Sequence, residues 1–301
     1  MRIFTIILVF CLSGFSANAF EIQKVTEGVY ALVGEKIQRS PTNLANNSTH
    51  GVIVTNEGVV LVDPGGSWKG AQHIHEEIAK ITDKPVKIVI NSGGQDHRWL
   101  GNGFWKAQGA QIIASEAAVE DHKNRGSLLM TMLDSLLGKE LDGTEPVYAD
   151  TVFEKNYSFK LGDLTFEITH VGQAHTPGDS FIWVPEKKTV FTGDIVYVER
   201  ILGIGPQSHS GEWIEVFEAM AKLGATHVVP GHGHATNMEK AKADTLDYLS
   251  NLREKMRIYI EAGGEIIGSV NVDQSSFSYL EQFGSLAKRN AQKVFSELEF
   301  E

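Results

Sequence analysis

Apolar and polar positions divide the chain into short strand-like runs, glycine-rich loops and a few longer helical stretches. Residues 28–34 (GVYALVG), 51–55 (GVIVT) and 58–63 (GVVLVD) are β-branched runs that read as strands, the last two separated by Asn56 and Glu57. A glycine-rich turn follows, with Ser67 placed to cap a helix that runs through AQHIHEEIAKIT. PVKIVI (85–90) has the continuous apolar character of a buried strand, and helical WLGNGFWKAQG, a strand at 110–115 and a helix from about Glu116 to Leu137 come next. Hairpins are expected over 157–171 and 180–194, then a helix over 211–224, a strand at 226–230, and helices from about Met238 to Ala262 and from Leu286 to Leu298. Strands followed by strand–helix mixtures, in two similar halves, predict two sheets packed together with helices outside, an α+β arrangement.

The first nineteen residues stand apart from this pattern. Arg2, an apolar run from Ile3 to about Phe15 and the small-residue signal Ala17-Asn18-Ala19 predict a secretory signal cut after Ala19. The bulky Phe10 before Cys11 argues against a lipoprotein leader. The protein is therefore expected to be exported, periplasmic or secreted, with a main domain over 20–262 and a C-terminal extension over 263–301 packed on it. Cleavage removes the only cysteine, so neither a disulfide nor a thiolate ligand is available. No later stretch is apolar for long enough to span a bilayer. The formal net charge of −11, with no basic cluster, argues against nucleic acid and otherwise speaks mostly to solubility.

Four strand ends carry side chains able to hold a metal: Asp96-His97, His175 in GQAHTPGDS, Asp194 in FTGD and His232 in VPGHG. Loops after strands let a rigid sheet aim several donors at one point. Imidazole and carboxylate donors without thiolate suit zinc, and also manganese or iron. Taken singly, each stretch is as well explained by turn chemistry, because glycine, proline and aspartate build loops. Their common position at strand ends is what favours one site.

In that order and spacing, GVVLVDPGG, the strand before Asp96-His97, HTPGDS, FTGD and VPGHG resemble the metallo-β-lactamase fold superfamily, in particular its exported glyoxalase-II-like and SoxH-like hydrolases. The resemblance implies an αββα four-layer sandwich with metals at the sheets' edge. It also implies ligand roles: His175 for the first metal, Asp194 bridging, and Asp96, His97 and His232 for the second. Where that family carries His-x-His-x-Asp-His, this chain reads Ser92-Gly93-Gly94-Gln95-Asp96-His97. Ser92 and Gly94 thus stand at first-site positions that have lost their imidazoles, and a space is expected beside the remaining metal. The expectation is one zinc held by Asp96, His97, Asp194 and His232, with His175 or Asp96 as catalytic base.

Asp63, ending the strand VVLVD, is expected to support a ligand rather than bind metal. His73 and His75 are expected on a solvated helix face and His234 in an exposed loop, while His50 and His209 carry no spacing signal. The implied activity is hydrolysis of a small ester, thioester, lactone or lactam. The alternative is a catalytically degenerate binding or accessory protein that keeps at most one metal.

Overall fold

The computed structural model describes residues 20–301. The leader expected over residues 1–19 lies outside the described residues. Seven strands form the first sheet in sequence order: β1 (Glu21–Thr26), β2 (Val29–Val33), β3 (Thr49–Val54), β4 (Val59–Val62), β5 (Val86–Asn91), β6 (Gln111–Ser115) and β7 (Thr151–Phe153). It is antiparallel from β1 to β4 and parallel from β4 to β7. The parallel half requires crossovers, supplied by α1 (Trp68–Ala79), α2 (Asn102–Ala107) and α3 (Glu116–Leu137). The second sheet has the order β12-β11-β10-β9-β8, from β8 (Asn156–Leu161), β9 (Leu164–Thr169), β10 (Phe181–Val184), β11 (Thr189–Phe191) and β12 (His227–Val229). The helices α4 (Ser210–Ala221), α5 (Met238–Ala241), α6 (Asp247–Glu261), α7 (Ile266–Ser269) and α8 (Phe283–Leu298) complete the chain.

The layers follow from which faces are apolar. Val60, Val62, Ile88, Ile90 and Ile113 of the first sheet meet Phe166, Ile168, Ile182, Val184 and Phe191 of the second, filling the space between the sheets. Leu61, Val89 and Ile112, whose side chains alternate to the other face, pack against Ala71, Ile74, Phe104 and Trp105 of α1 and α2. Val190 and Val228 of the second sheet meet Trp213, Phe217, Tyr248 and Leu252 of α4 and α6, joined by Leu286, Val294 and Phe295 of α8. This is the αββα sandwich expected from the sequence.

Most strands and helices fall where the patterning places them. Ser67 caps α1 by accepting the N–H of Gly70, and α3 runs from Glu116 to Leu137 with Ser115 as its cap. The helix expected from about Met238 to Ala262 is interrupted by a π turn at Lys242–Leu246. The turn has a purpose: Thr245 Oγ1 bonds both the N–H (3.0 Å) and the carbonyl (2.6 Å) of Tyr197, and Asp244 Oδ2 accepts the N–H of Glu199 (2.8 Å). It thereby fastens a loop that borders the functional site.

Candidate metal centre

Three loops converge at the ends of β5, β11 and β12. The first forms a 3-10 turn over Asp96–Arg98, the second a 3-10 turn over Gly193–Ile195, and the third carries His232. One ligand atom from each of His97, Asp194 and His232 lies within 4.8 Å of the other two, and all three residues are buried. His97 Nε2 stands 3.3 Å from Asp194 Oδ2 and His232 Nε2 stands 3.1 Å from Asp194 Oδ1. Trp213 secures the Asp194 turn by donating Nε1–H to Ile195 O (2.8 Å), and the Tyr197 ring stacks on His232 with centroids 4.4 Å apart.

Arg98 organises the floor beneath this cluster. Its Nη1 donates to Asp63 Oδ2 (2.7 Å) and Thr49 O (3.2 Å), and its Nη2 to Asp194 Oδ1 (2.7 Å) and Gly231 O (2.9 Å). Its Nε donates to Asp194 Oδ2 (3.2 Å). All five guanidinium protons are therefore used, the condition under which so buried a cation is tolerated. Asp63, at a left-handed φ of 69°, turns its carboxylate to accept Ser92 N–H (2.8 Å) and Ser92 Oγ–H (2.9 Å) as well. It thereby holds the Ser92 loop and Arg98.

The electrostatics follow from burial and from Arg98. Burial opposes charge on Asp194, yet Arg98, and after it His97, hold this carboxyl well below the usual range. Burial lowers His232 to about 3, with Arg200 adding to the effect, and burial followed by Arg98 lowers His97. Two neutral imidazoles and one carboxylate at mutual contact distance make a donor set that fits a zinc ion with a position left open. One group opposes it. Arg200 Nη1 lies 3.0 Å from His232 Nδ1. A guanidinium only donates, so this nitrogen accepts and the ring proton sits on Nε2. Binding a metal through Nε2 requires that proton to leave and Arg200 to release the ring.

Asp96, expected as a fourth ligand or as base, is not part of the converging set. Arg39 forks both of its oxygens. Arg39 Nη2 also stands 3.4 Å from His97 Nδ1 and can only donate to it, so Arg39 rather than Asp96 holds that ring. His175, expected at the first site, donates or accepts at Nδ1 with Gly203 O (2.9 Å); a carbonyl can only accept, so Nδ1 carries the proton. Its Nε2 is left with a lone pair. Burial lowers its pKa, keeping the ring neutral near pH 7.

The space expected beside the second site is already filled at Gly94. A Cβ there would lie 1.8 Å from Asp121 Oδ2, and Arg125 both forks Asp121 and donates to Gly94 O (3.0 Å). Ser92 is equally committed, its hydroxyl given to Asp63 and packed so closely that a Cβ on Gly193 would lie 2.0 Å from it. The double variant Ser92→His/Gly94→His is therefore expected to bind no second metal and to lose about 1–3 kcal/mol of stability from overpacking. Metal analysis and urea unfolding check this; two metals per chain would contradict it.

The histidines expected at other positions lie outside the cluster. His50 is buried between Ser48 Oγ (3.1 Å) and Asp63 O (3.0 Å), and His209 caps α4 by accepting the N–H of Glu212 (3.1 Å). His75 is exposed, whereas His73 is half-buried against Phe20. His234 is not a free loop residue, since it bridges Glu199 (2.8 Å) and Glu21 (3.0 Å), and hydrogen bonding to Glu21 and Glu199 raises its pKa. Sequence reasoning missed Arg39, Arg98, Arg200 and the Asp121–Arg125 pair.

Asp179 beside the site gives a pH signature. Burial, with Asp194 adding repulsion, raises its carboxyl to about 8, against the bonds it accepts from Thr176. A carboxyl raised on folding stabilises most below its unfolded value and loses that contribution as pH rises towards 8. Asp179→Asn is therefore expected to gain on the parent between pH 5 and pH 8, at up to about 1.4 kcal/mol per pH unit. Urea unfolding at both pH values measures this, and a constant difference would refute it.

Comparisons with known proteins bear on the family and the fold. A family model described as the metallo-beta-lactamase superfamily matches residues 45–232. The metallo-beta-lactamase type 2 of Elizabethkingia meningoseptica is 25% identical over 241 residues, covering 79% of this chain and 88% of that protein. Among solved structures, a metallo-beta-lactamase from Pontibacter korlensis has a TM-score of 0.63 at 20% identity, over 77% of this chain and 99% of that one. A stereoselective inverting sec-alkylsulfatase from a Pseudomonas species has a TM-score of 0.71 at 15% identity, over 92% of this chain and 50% of its own. At those identities the two structures speak for the fold alone.

Proposed function

Because the chain belongs to the metallo-β-lactamase superfamily, a family of hydrolase-like proteins, we propose that it is a hydrolase of a small substrate using one metal ion, most simply zinc, held by His97, Asp194 and His232. The observation that carries the proposal is the convergence of these three buried donors from three separate loops within 4.8 Å. Zinc bound there would supply a Lewis acid that polarises a substrate oxygen and makes water nucleophilic near neutral pH.

The chain's own residues do the rest. Arg98 keeps Asp194 ionised and fixed in direction. His175, with its proton on Nδ1 and a neutral ring, accepts a proton at Nε2 and serves as general base at the cavity wall. Arg39 neutralises Asp96 and stands beside His97 Nδ1. The reactive bond is an ester, thioester, lactone or lactam; a lactam has the support of the lactamase relative. We also propose export to the periplasm or medium, on the strength of the leader sequence.

A hydrolysis screen over these four classes tests the reading. At least one class is expected to be turned over, with His175→Ala lowering kcat by about 10²–10⁴-fold while leaving the bound metal in place. No turnover in any class, with metal bound, would favour a binding or accessory protein instead.

A further inference from the structure

His97 and His232 of the cluster open into a cavity of about 490 Å³, the size of a small-molecule site. Four guanidiniums line it, those of Arg39, Arg125, Arg200 and Arg289, and no carboxylate does. In a chain with a formal net charge of −11, that local excess of positive charge is not a by-product of composition. Two of the four are committed, Arg39 to Asp96 and Arg125 to Asp121. The other two make no ion pair among the described residues.

Arg200 is the more unusual. It is only 5% exposed, its Nη1 meets the ring of His232, and its Nε has no acceptor. Burying a cation with no direct ion-pair partner is costly, and an anion that arrives to share the site offsets that cost. Arg289, on α8, reaches the same cavity from the solvent-exposed rim. The rest of the wall includes an apolar stripe. Leu128, Met132 and Leu136 recur at four-residue spacing on one face of α3, 69%, 43% and 42% exposed, and Leu286 of α8 joins them. Exposed apolar surface beside a cationic pocket marks a binding site for something with both characters.

We propose that this cavity binds an anionic amphiphile as a monomer, its anionic head paired with Arg200 and Arg289 and its alkyl or aryl tail laid along Leu128, Met132, Leu136 and Leu286. The burial of Arg200 favours a free molecule over a headgroup fixed in a bilayer, which would have to leave its membrane to reach it. The inference deepens the proposed function by naming the substrate class, and rests on it only in assigning the cavity to substrate.

Calorimetric titration of the purified chain, with and without EDTA, tests it with decanoate and decyl sulfate below their micelle concentrations. Decanol, sodium sulfate and anionic phosphatidylglycerol vesicles are the comparisons. One molecule of either anion is expected per chain, with decanol and inorganic sulfate at least about tenfold weaker. Arg200→Gln is expected to weaken both amphiphilic anions by about tenfold or more, and Arg289→Ala by about threefold, neither changing the affinity for decanol. If Arg200→Gln does not fold, Arg289→Ala still decides. Equal affinity for decanol and decanoate, unchanged anion binding in Arg289→Ala, or binding to vesicles alone would overturn the proposal. A chain that binds these anions but hydrolyses nothing refutes the hydrolase reading alone, whereas one that hydrolyses other substrates and ignores amphiphiles refutes this inference alone.

Discussion

Arg98→Met is expected to destabilise the metal-free protein by about 3–5 kcal/mol. The methionine fills much of the volume but leaves Asp63 and Asp194 buried without the cation that both share. The loss of Arg98 also removes the donors to Thr49 O and Gly231 O, so two buried carbonyls lose a partner. Zinc should recover part of this loss, because the metal supplies positive charge to Asp194 when Arg98 cannot. Urea unfolding with and without zinc measures both quantities. A loss below about 1 kcal/mol, or one that zinc does not reduce, would contradict the role assigned to Arg98.

The second large effect is on activity. Asp194→Ala removes the only carboxylate among the three converging donors, and with it the group that both histidines face. Bound zinc should be lost, and hydrolysis should fall by about 10³-fold or more, which corresponds to roughly 4 kcal/mol of barrier. Stability should fall less than for Arg98→Met, since Arg98 still has Asp63. Turnover that persists in metal-free Asp194→Ala protein would exclude metal catalysis.

How much of this could be read from the sequence depends on how local each feature is. The strands β5, β11 and β12 are apolar runs followed by glycine-rich loops, so both the strands and the donors behind them, His97, Asp194 and His232, were visible as pattern. β1 was not, because all six of its residues are half-buried or exposed and show no alternation, and β7 is a three-residue edge strand. The arginines were hidden for a different reason. Arg39 meets a partner 57 residues away, Arg98 one 96 residues away and Arg200 one 32 residues away. A guanidinium has no characteristic spacing to its carboxylate, so nothing in the chain announces the pair. Asp96, whose ligand role is implied by the family resemblance, is held in the fork of Arg39 for the same reason.

The vacancy expected at Ser92 and Gly94 shows the same limit from the other side. Sequence can show that two imidazoles are missing, but only the fold shows that Asp121 and Arg125, one turn apart on α3, have moved into the space at Gly94. The first site is closed by an ion pair, while the second keeps three of its four expected donors, His97, Asp194 and His232. That contrast is the physical basis for expecting one metal.

The most direct measurement is the metal content of the purified chain after zinc loading and removal of excess. One zinc per chain is the expected result, abolished by His232→Ala and retained by His175→Ala. Two tightly held metals, or none under zinc-replete conditions, would contradict it.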